Sequence, residues 1–340
     1  MEALYKHQID FISYMQRLLQ EGDFSSTYKF AFLHALADIC IEKDVPNNGR
    51  LMISLNEIVE KLILLYWQHA KPFFSETGPQ QQGGILLQNS GKQAKIIADI
   101  CELQRSGANN LNQAKSSPLW PQIYRNTMRT LKEGPLWRLQ VLSKVEECYL
   151  FLHIKNRPYI ELNTGIADCF RMFHDLVVQF SRQGWIEKVS KIQENQQVIG
   201  RAGELSDFLF GTSRVSLKSA SNLLKDIQKG NCFYCKKPLK GNAEVDHFIP
   251  FTKYNNDLGH NFVLAHKACN NNKRDYLAAP EHKTKWQEQN LVVNDKLITN
   301  ELGTYFTCDA QRASHVADWA YHIAEKNGSK YWLASKDVFV

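Results

Sequence analysis

The sequence predicts a mainly α protein with a small α+β module toward its C-terminal end. Three observations predict it. Apolar residues recur at helical spacing through most of the first 200 positions, and Ser with Glu or Gln sits where capping boxes belong. A short alternating run near residue 245 lies between two pairs of cysteine and histidine ligand types. With 340 residues, 44% hydrophobic and 22% charged, the chain is long enough for two or three domains with cores of their own. Disordered, collagen-like and coiled-coil readings are excluded.

In the first 200 residues, Ile9, Ile12, Met15, Leu18 and Leu19 mark one helix. Ser26 or Thr27 can cap a second running to about Lys43, before the Val45-Pro46-Asn47-Asn48-Gly49 break. Ser54 with Glu57 forms a capping box ahead of Ile58 to Trp67, and Ser90 with Gln93 forms another ahead of Ala94 to Leu103. Gly78 to Gly84 carries no apolar residue and reads as a loop. Trp137 to Val141 alternates, and Tyr149 to His153 and Tyr159 to Leu162 are rich in aromatic and β-branched residues, which predicts a small sheet. Helical spacing returns from Ile166 through Gln193. His34, His69, His153 and His174 have no partner at ligand spacing and read as core or surface residues. The resulting domains are a helical domain at 1–200 for substrate or partner selection, a basic joining segment at 201–230, a metal module at 231–290 and a helical extension at 291–340. The joining segment holds Leu205, Phe208, Leu209 and Phe210, then a helix capped by Ser216 and ending at Gly230; Trp319 and Trp332 are packing anchors of the extension.

The net charge is +6, and its location is more informative than its size. Residues 211–285 hold 13 Lys or Arg, Arg214 among them, against 6 Asp or Glu, so one window carries the positive balance. That is the footprint of a module that meets phosphates, with salt-dependent binding. A solvated face without a partner gives the same count. No secretory pattern, bilayer-length apolar run, P-loop or dinucleotide fingerprint is visible, which predicts a cytoplasmic protein without membrane contact.

In a reducing compartment clustered cysteines indicate metal. Cys232 and Cys235 form a CxxC knuckle and His266 with Cys269 an HxxC pair. Three thiolates and an imidazole are the four ligands of a closed structural zinc site, which supplies folding energy and leaves no position for a water. His260 and His282 are alternative fourth ligands. Between the pairs, Asp246 and His247 end the alternating run Ala243, Val245 and are stopped by Pro250, at a strand end where carboxylate and imidazole can project together. Asn270 and Lys273, three residues apart, share one face of a helix that begins near Cys269. The Asp246 carboxylate and Asn270 amide oxygen are the hard donors Mg²⁺ prefers, and an imidazole beside them is a base near neutral pH. Each pattern also has a bland form: Asp-His before Ile-Pro makes turns, and Asn270 to Asn272 can cap a helix.

At these residues the sequence resembles the HNH nucleases, the ββα-metal or His-Me finger family. Asp246-His247 matches the Asp-His pair that opens the motif, Asn261 the middle Asn, and Asn270 the third position. The match covers about 45 residues with interleaved zinc knuckles; His266 departs from the cysteine many members carry there. The resemblance implies a ββα finger stapled by zinc and hydrolysis of a phosphodiester by water. His247 would be the base, Asp246 and Asn270 would hold Mg²⁺ or Mn²⁺, Asn261 would fix the loop and the His247 ring, and Lys273 and Arg274 would hold phosphate. DNA is the implied substrate, cut by nicking or, through a homodimer or successive hits, on both strands. A zinc-dependent binding module without catalysis and a ribonuclease remain alternatives. The helical domain joined to such a module also looks like bacterial anti-phage nucleases that accompany Zorya or Septu components, which implies partner proteins supplying NTPase activity.

Overall fold

Apolar spacing and breaks in the sequence become two compact units, Met1–Thr212 and Ser213–Val340, in a computed structural model that describes residues 2–22, 25–78, 83–211, 217–241, 243–334 and 338–339. The described residues are 55% helical. Residues 79–82 of the glycine-rich loop, together with Arg214 and Ser216, lie outside the described residues.

The first unit contains α1 (Glu2–Glu21), α2 (Tyr28–Glu42), α3 (Leu55–Tyr66), α4 (Lys95–Arg105), α5 (Leu111–Lys115), α6 (Trp120–Glu133), α7 (Pro135–Arg138), α8 (Ile166–Met172), α9 (His174–Ser190), α10 (Gln193–Gln196) and α11 (Ala202–Phe210). Every residue of α2 is buried, because α3, α8 and α9 all pack on it; a helix enclosed on all sides has no solvated face to keep polar. Its four polar side chains, Lys29, His34, Asp38 and Glu42, are therefore enclosed too. Lys61 of α3 pairs with Asp38 at 3.3 Å and with Glu42, and His174 Nε2 meets Asp38 Oδ1 at 3.1 Å. Arg171 closes the end of α2 by donating to the Cys40 and Lys43 carbonyls at 2.9 and 3.0 Å.

The Ser54–Glu57 capping box forms with both bonds present. Its counterpart at Ser90 and Gln93 does not. The helix starts at Lys95 after an extended Ala94 without a side-chain cap, and Gln93 turns back to bond the Leu86 carbonyl and the Gln88 and Ala94 amides. Thr27 precedes α2 without capping it, its hydroxyl taken by Tyr66 at 2.6 Å. The strand expected over Trp137 to Val141 is also corrected: Pro135 opens a helical turn, α7, as proline favours at a first helical position. Beyond α7 the single expected sheet is replaced by two small ones. β2 (Val141–Leu142) and β3 (Val145–Glu146) form a hairpin whose two turn residues, Ser143 and Lys144, have φ of +48° and +72°, as a primed turn requires. β4 (Tyr159–Glu161) pairs antiparallel with β1 (Met52–Ser54), far back in the chain.

The second unit contains α12 (Lys218–Ile227), β5 (Ala243–His247), β6 (Phe262–His266), α13 (Lys267–Lys273), α14 (Pro280–Trp286), α15 (Asp295–Leu302), α16 (Ala310–Lys326), β7 (Trp332–Ala334) and β8 (Val338–Phe339). β5 and β6 pair antiparallel in the register Asp246 to Val263 and His247 to Phe262. Ala220 and Leu224 of α12, Phe262 and Leu264 of β6, and Ile298 and Leu302 of α15 form one buried cluster with Phe306. α13 continues directly from β6, so β5, β6 and α13 make a ββα unit. Phe248 stacks on Trp286 at 4.8 Å and 8°, and Trp286 Nε1 and Asn290 Nδ2 both donate to the His260 carbonyl at 2.9 Å, which fixes the entry to β6. Trp319 and Trp332 are buried. Among the described residues no helix is long and apolar enough to cross a membrane.

Candidate active site

Two groups of polar side chains sit on the ββα unit. At its base the CxxC turn presents two thiols: Lys236 N donates to the Cys232 carbonyl at 3.0 Å and Cys232 N to the Lys237 carbonyl at 2.9 Å, with Lys236 at φ +59°. His266 ends β6 and Cys269 lies one turn into α13, so strand and helix deliver the other pair. The four ligand atoms lie within 4.8 Å of one another. His266 Nδ1 is 3.3 Å from Cys235 Sγ and 3.9 Å from Cys269 Sγ, while its Nε2 donates to the Pro238 carbonyl at 3.1 Å. That outer bond fixes the tautomer whose Nδ1 faces the thiols, as in ligating histidines. His266 N also donates to Cys232 Sγ at 3.4 Å. Burial pushes the Cys269 thiol up to about 12, with the neighbouring thiols adding to it. At Cys235 burial also pushes upward, but bonds from the Lys237 amide, Cys232 and His266 outweigh it and the thiol is lowered. Neither alternative histidine reaches the cluster: His260 Nε2 meets Asp295 at 3.0 Å and His282 Nε2 the Leu333 carbonyl at 2.7 Å.

At the other end, strand alternation decides which side chains meet. Glu244 and Asp246 face α13; Ala243, Val245 and His247 face the opposite side. Adjacent positions on a strand therefore do not project together, and the expected Asp246–His247 pairing is replaced by two separate sets of contacts. His247 lies between the rings of Phe251 and Phe262, at 5.2 and 5.1 Å, with Nε2 on Asp257 Oδ1 at 2.7 Å. Asn261 clamps the intervening loop: its Oδ1 accepts from Ile249 N at 2.8 Å and its Nδ2 donates to the Ile249 carbonyl at 2.9 Å. Its side chain has no bond to the His247 ring; Asp257 takes that role. The loop returns Asp257 to the ring because Gly259 approaches residues 307–308 closely. Gly259 N donates to the Thr307 carbonyl at 2.9 Å, and a Cβ there would meet Cys308 Sγ at 2.5 Å.

On the α13 face, Asn270 Nδ2 donates to Glu244 Oε2 at 3.0 Å. Asp246 Oδ2 accepts from Tyr234 Oη and lies 3.1 Å from Lys273 Nζ. Burial and the adjacent Asp246 carboxylate push the Tyr234 hydroxyl well above its ordinary value, so it stays a donor. Lys273 is fully buried and also donates to the His247 carbonyl at 2.9 Å. The expectation that Lys273 holds phosphate is thus corrected: the lysine is a structural countercharge, enclosed because the inward face of α13 carries it. Arg274 follows it, exposed, at φ +51°. Sequence reasoning missed Asp257, Tyr234 and Glu244. Nothing local marks Asp257, which lies in a polar loop ten residues beyond its partner.

A model of the HNH endonuclease family matches residues 232–275, the segment that holds both groups. A second model, described as a domain of unknown function (DUF8808), matches residues 10–137 of the first unit. No curated protein and no solved structure matches the chain.

Proposed function

We propose that this chain, with an HNH endonuclease domain at residues 232–275, is a metal-dependent endonuclease that hydrolyses phosphodiester bonds of DNA. The observation that carries the reading is the His247–Asp257 pair, 2.7 Å apart at the end of β5. With Nε2–H donated to Asp257, the lone pair on Nδ1 is left to take a proton from water, and the carboxylate orients the ring and stabilises the imidazolium that forms. The resulting hydroxide attacks phosphorus and the 3′ oxygen leaves. A binding module without catalysis has use for the cysteines and the basic surface but none for a carboxylate-held imidazole.

The donor set on the α13 face fits a hard cation. Although His247 faces the other side of the strand, both groups sit at the last two positions of β5, so one phosphodiester at the strand's end can meet the two. Tyr234 and Lys273 occupy Asp246 Oδ2 and Glu244 occupies the Asn270 amide nitrogen, which leaves Asp246 Oδ1 and Asn270 Oδ1 as oxygen donors. Mg²⁺ or Mn²⁺ prefers few such ligands together with water and phosphate oxygens. When bound, the ion supplies charge stabilisation at the phosphate. The cluster of Cys232, Cys235, His266 and Cys269 fits zinc in a structural role. Arg274, exposed at the end of α13, is the candidate phosphate contact. An anti-phage setting with partner proteins supplying NTPase activity rests on the two-part layout alone.

The test is cleavage of supercoiled plasmid with Mg²⁺ or Mn²⁺, alongside single-stranded DNA and RNA. Wild-type protein should nick the plasmid and His247→Ala should not. Equal nicking by both refutes the assignment, and cleavage confined to RNA replaces DNA by RNA as substrate.

A further inference from the structure

The first unit is nearly neutral, with 23 Lys or Arg against 22 Asp or Glu in residues 1–212, but its charge is not evenly spread. Residues 115–157 hold eight Lys or Arg and three acids, leaving 15 against 19 elsewhere in the unit. Along α6, Arg125, Arg129 and Lys132 are exposed at spacings of four and three residues, which sets them on one stripe about 10 Å long. Among the described residues Arg125 meets only Gln122, at 2.9 Å. Arg129, Lys132 and Lys155 have no acidic partner among the described residues. Of the three acids, Glu147 is already neutralised by Arg17 at 2.7 Å, Glu146 lies 4.0 Å from His153 Nδ1, and Glu133 is exposed.

The stripe ends at two cavities that share Trp137. The larger, about 480 Å³, is lined by Lys132, Trp137, His153, Lys155 and Arg157, with Glu133 and Glu146 also at its wall. The smaller, about 260 Å³, has hydroxyls of Ser26 and Thr130 and the cation Arg138 around the same indole. Trp137 is half-buried and held in place: its Nε1 donates to the Glu133 carbonyl at 3.3 Å and the Arg138 guanidinium lies 4.9 Å over the ring. Lone cations facing solvent beside a fixed aromatic in a recess are the elements of a single-strand platform, where phosphates follow the charge and an unpaired base meets the ring.

We propose that the first unit carries its own contact surface for single-stranded nucleic acid, with Arg125, Arg129, Lys132 and Lys155 following the backbone and Trp137 receiving a base. This deepens the nuclease reading, on which its use in substrate capture rests, but binding is measured without cleavage. An exposed duplex keeps its bases stacked and offers none to the recess, which is why a single strand is named.

The experiment uses the full-length His247→Ala chain without added divalent ion and a fluorescent 20-nucleotide oligo(dT), followed by anisotropy across a salt series. Adding Arg129→Glu, Lys132→Glu and Lys155→Glu should weaken binding at least tenfold and flatten the slope of log affinity against log salt by about 2, since each single-strand phosphate contact contributes about 0.7. Trp137→Ala should weaken binding by about 5- to 100-fold with the slope unchanged, and Trp137→Phe should restore most of it. The same charge change at Lys6, Lys71 and Lys92 should have little effect. The proposal is overturned if the charge variant binds like its parent, or if the control triple weakens binding equally. If nicking depends on His247 while the charge variant binds like its parent, this proposal falls alone. If nicking does not depend on His247, the nuclease reading falls and the binding result stands.

Discussion

Lys273 Nζ lies 3.1 Å from the Asp246 carboxylate and 2.9 Å from the His247 carbonyl, so one buried ammonium ties the inward helix face to the last two residues of β5. Removing it strands a carboxylate that is only 8% exposed. Lys273→Met should destabilise the second unit by about 3–5 kcal/mol, the range for breaking a buried pair from one side, seen as a lower urea midpoint. A phosphate-binding lysine would instead leave stability unchanged and weaken DNA binding.

Asp257→Asn should lower kcat of nicking by about 100-fold, the lower end of what a positioned base contributes, with the urea midpoint nearly unchanged. Activity equal to wild type would remove Asp257 from the site.

One zinc per chain should be found by elemental analysis. Cys269→Ser, or a strong chelator, should release it and unfold the second unit while the helical signal of the first persists, since metal binding in such clusters is worth about 10–16 kcal/mol of folding free energy. Persistence of the second transition after metal removal would show that the cluster is not the staple.

Acid should destabilise the first unit before it affects the carboxylates. Burial lowers His34 to about 3 and His69 to about 4, and His34 Nδ1 and His69 Nδ1 have no hydrogen-bond partner. Both pKa values lie below the unfolded 6.5, so the unfolded chain binds the extra protons, and stability present above pH 6.5 is lost as pH falls. The slope should be steepest near pH 5, a little under two protons or about 2.5 kcal/mol per pH unit, and should ease toward pH 4 as His69 titrates in the folded protein. His174 is raised, with burial opposing and Asp175 and Asp38 favouring its charge; its contribution is fully present below 6.5 and adds no slope there. Urea unfolding at pH 7, 6 and 5 with His34→Asn as comparison checks this, and a flat profile would contradict it.

Much of this architecture was legible in the sequence because its signals are local. The Ser54 capping box, the cysteine and histidine pairs and the alternating run stopped by Pro250 each span fewer than ten residues: the box closes, the four ligand atoms converge and the run forms a strand, though its last two side chains part to opposite faces. The misread positions depend on partners far along the chain. Tyr159 to Glu161 look like part of a small local sheet, but their edge is satisfied by Met52 to Ser54. Gln93 prefers the carbonyl and amide of an earlier loop to the helix start in front of it. Lys273 sits at the right interval for a phosphate ligand, and only the packing of α13 against β5 shows that it points inward. Asp257 could be found only by knowing where the loop returns.

The pairing of β1 with β4 joins segments more than 100 residues apart, which sets a timetable for synthesis. Loop closure of that length has to be met before the contacts reward it. The helices up to α7 therefore leave the ribosome without the strand that completes their sheet and without α8 and α9, which cover α2. A nascent chain halted at residue 150 should be digested readily by protease, and one halted well beyond residue 190, with α9 outside the exit tunnel, should resist it.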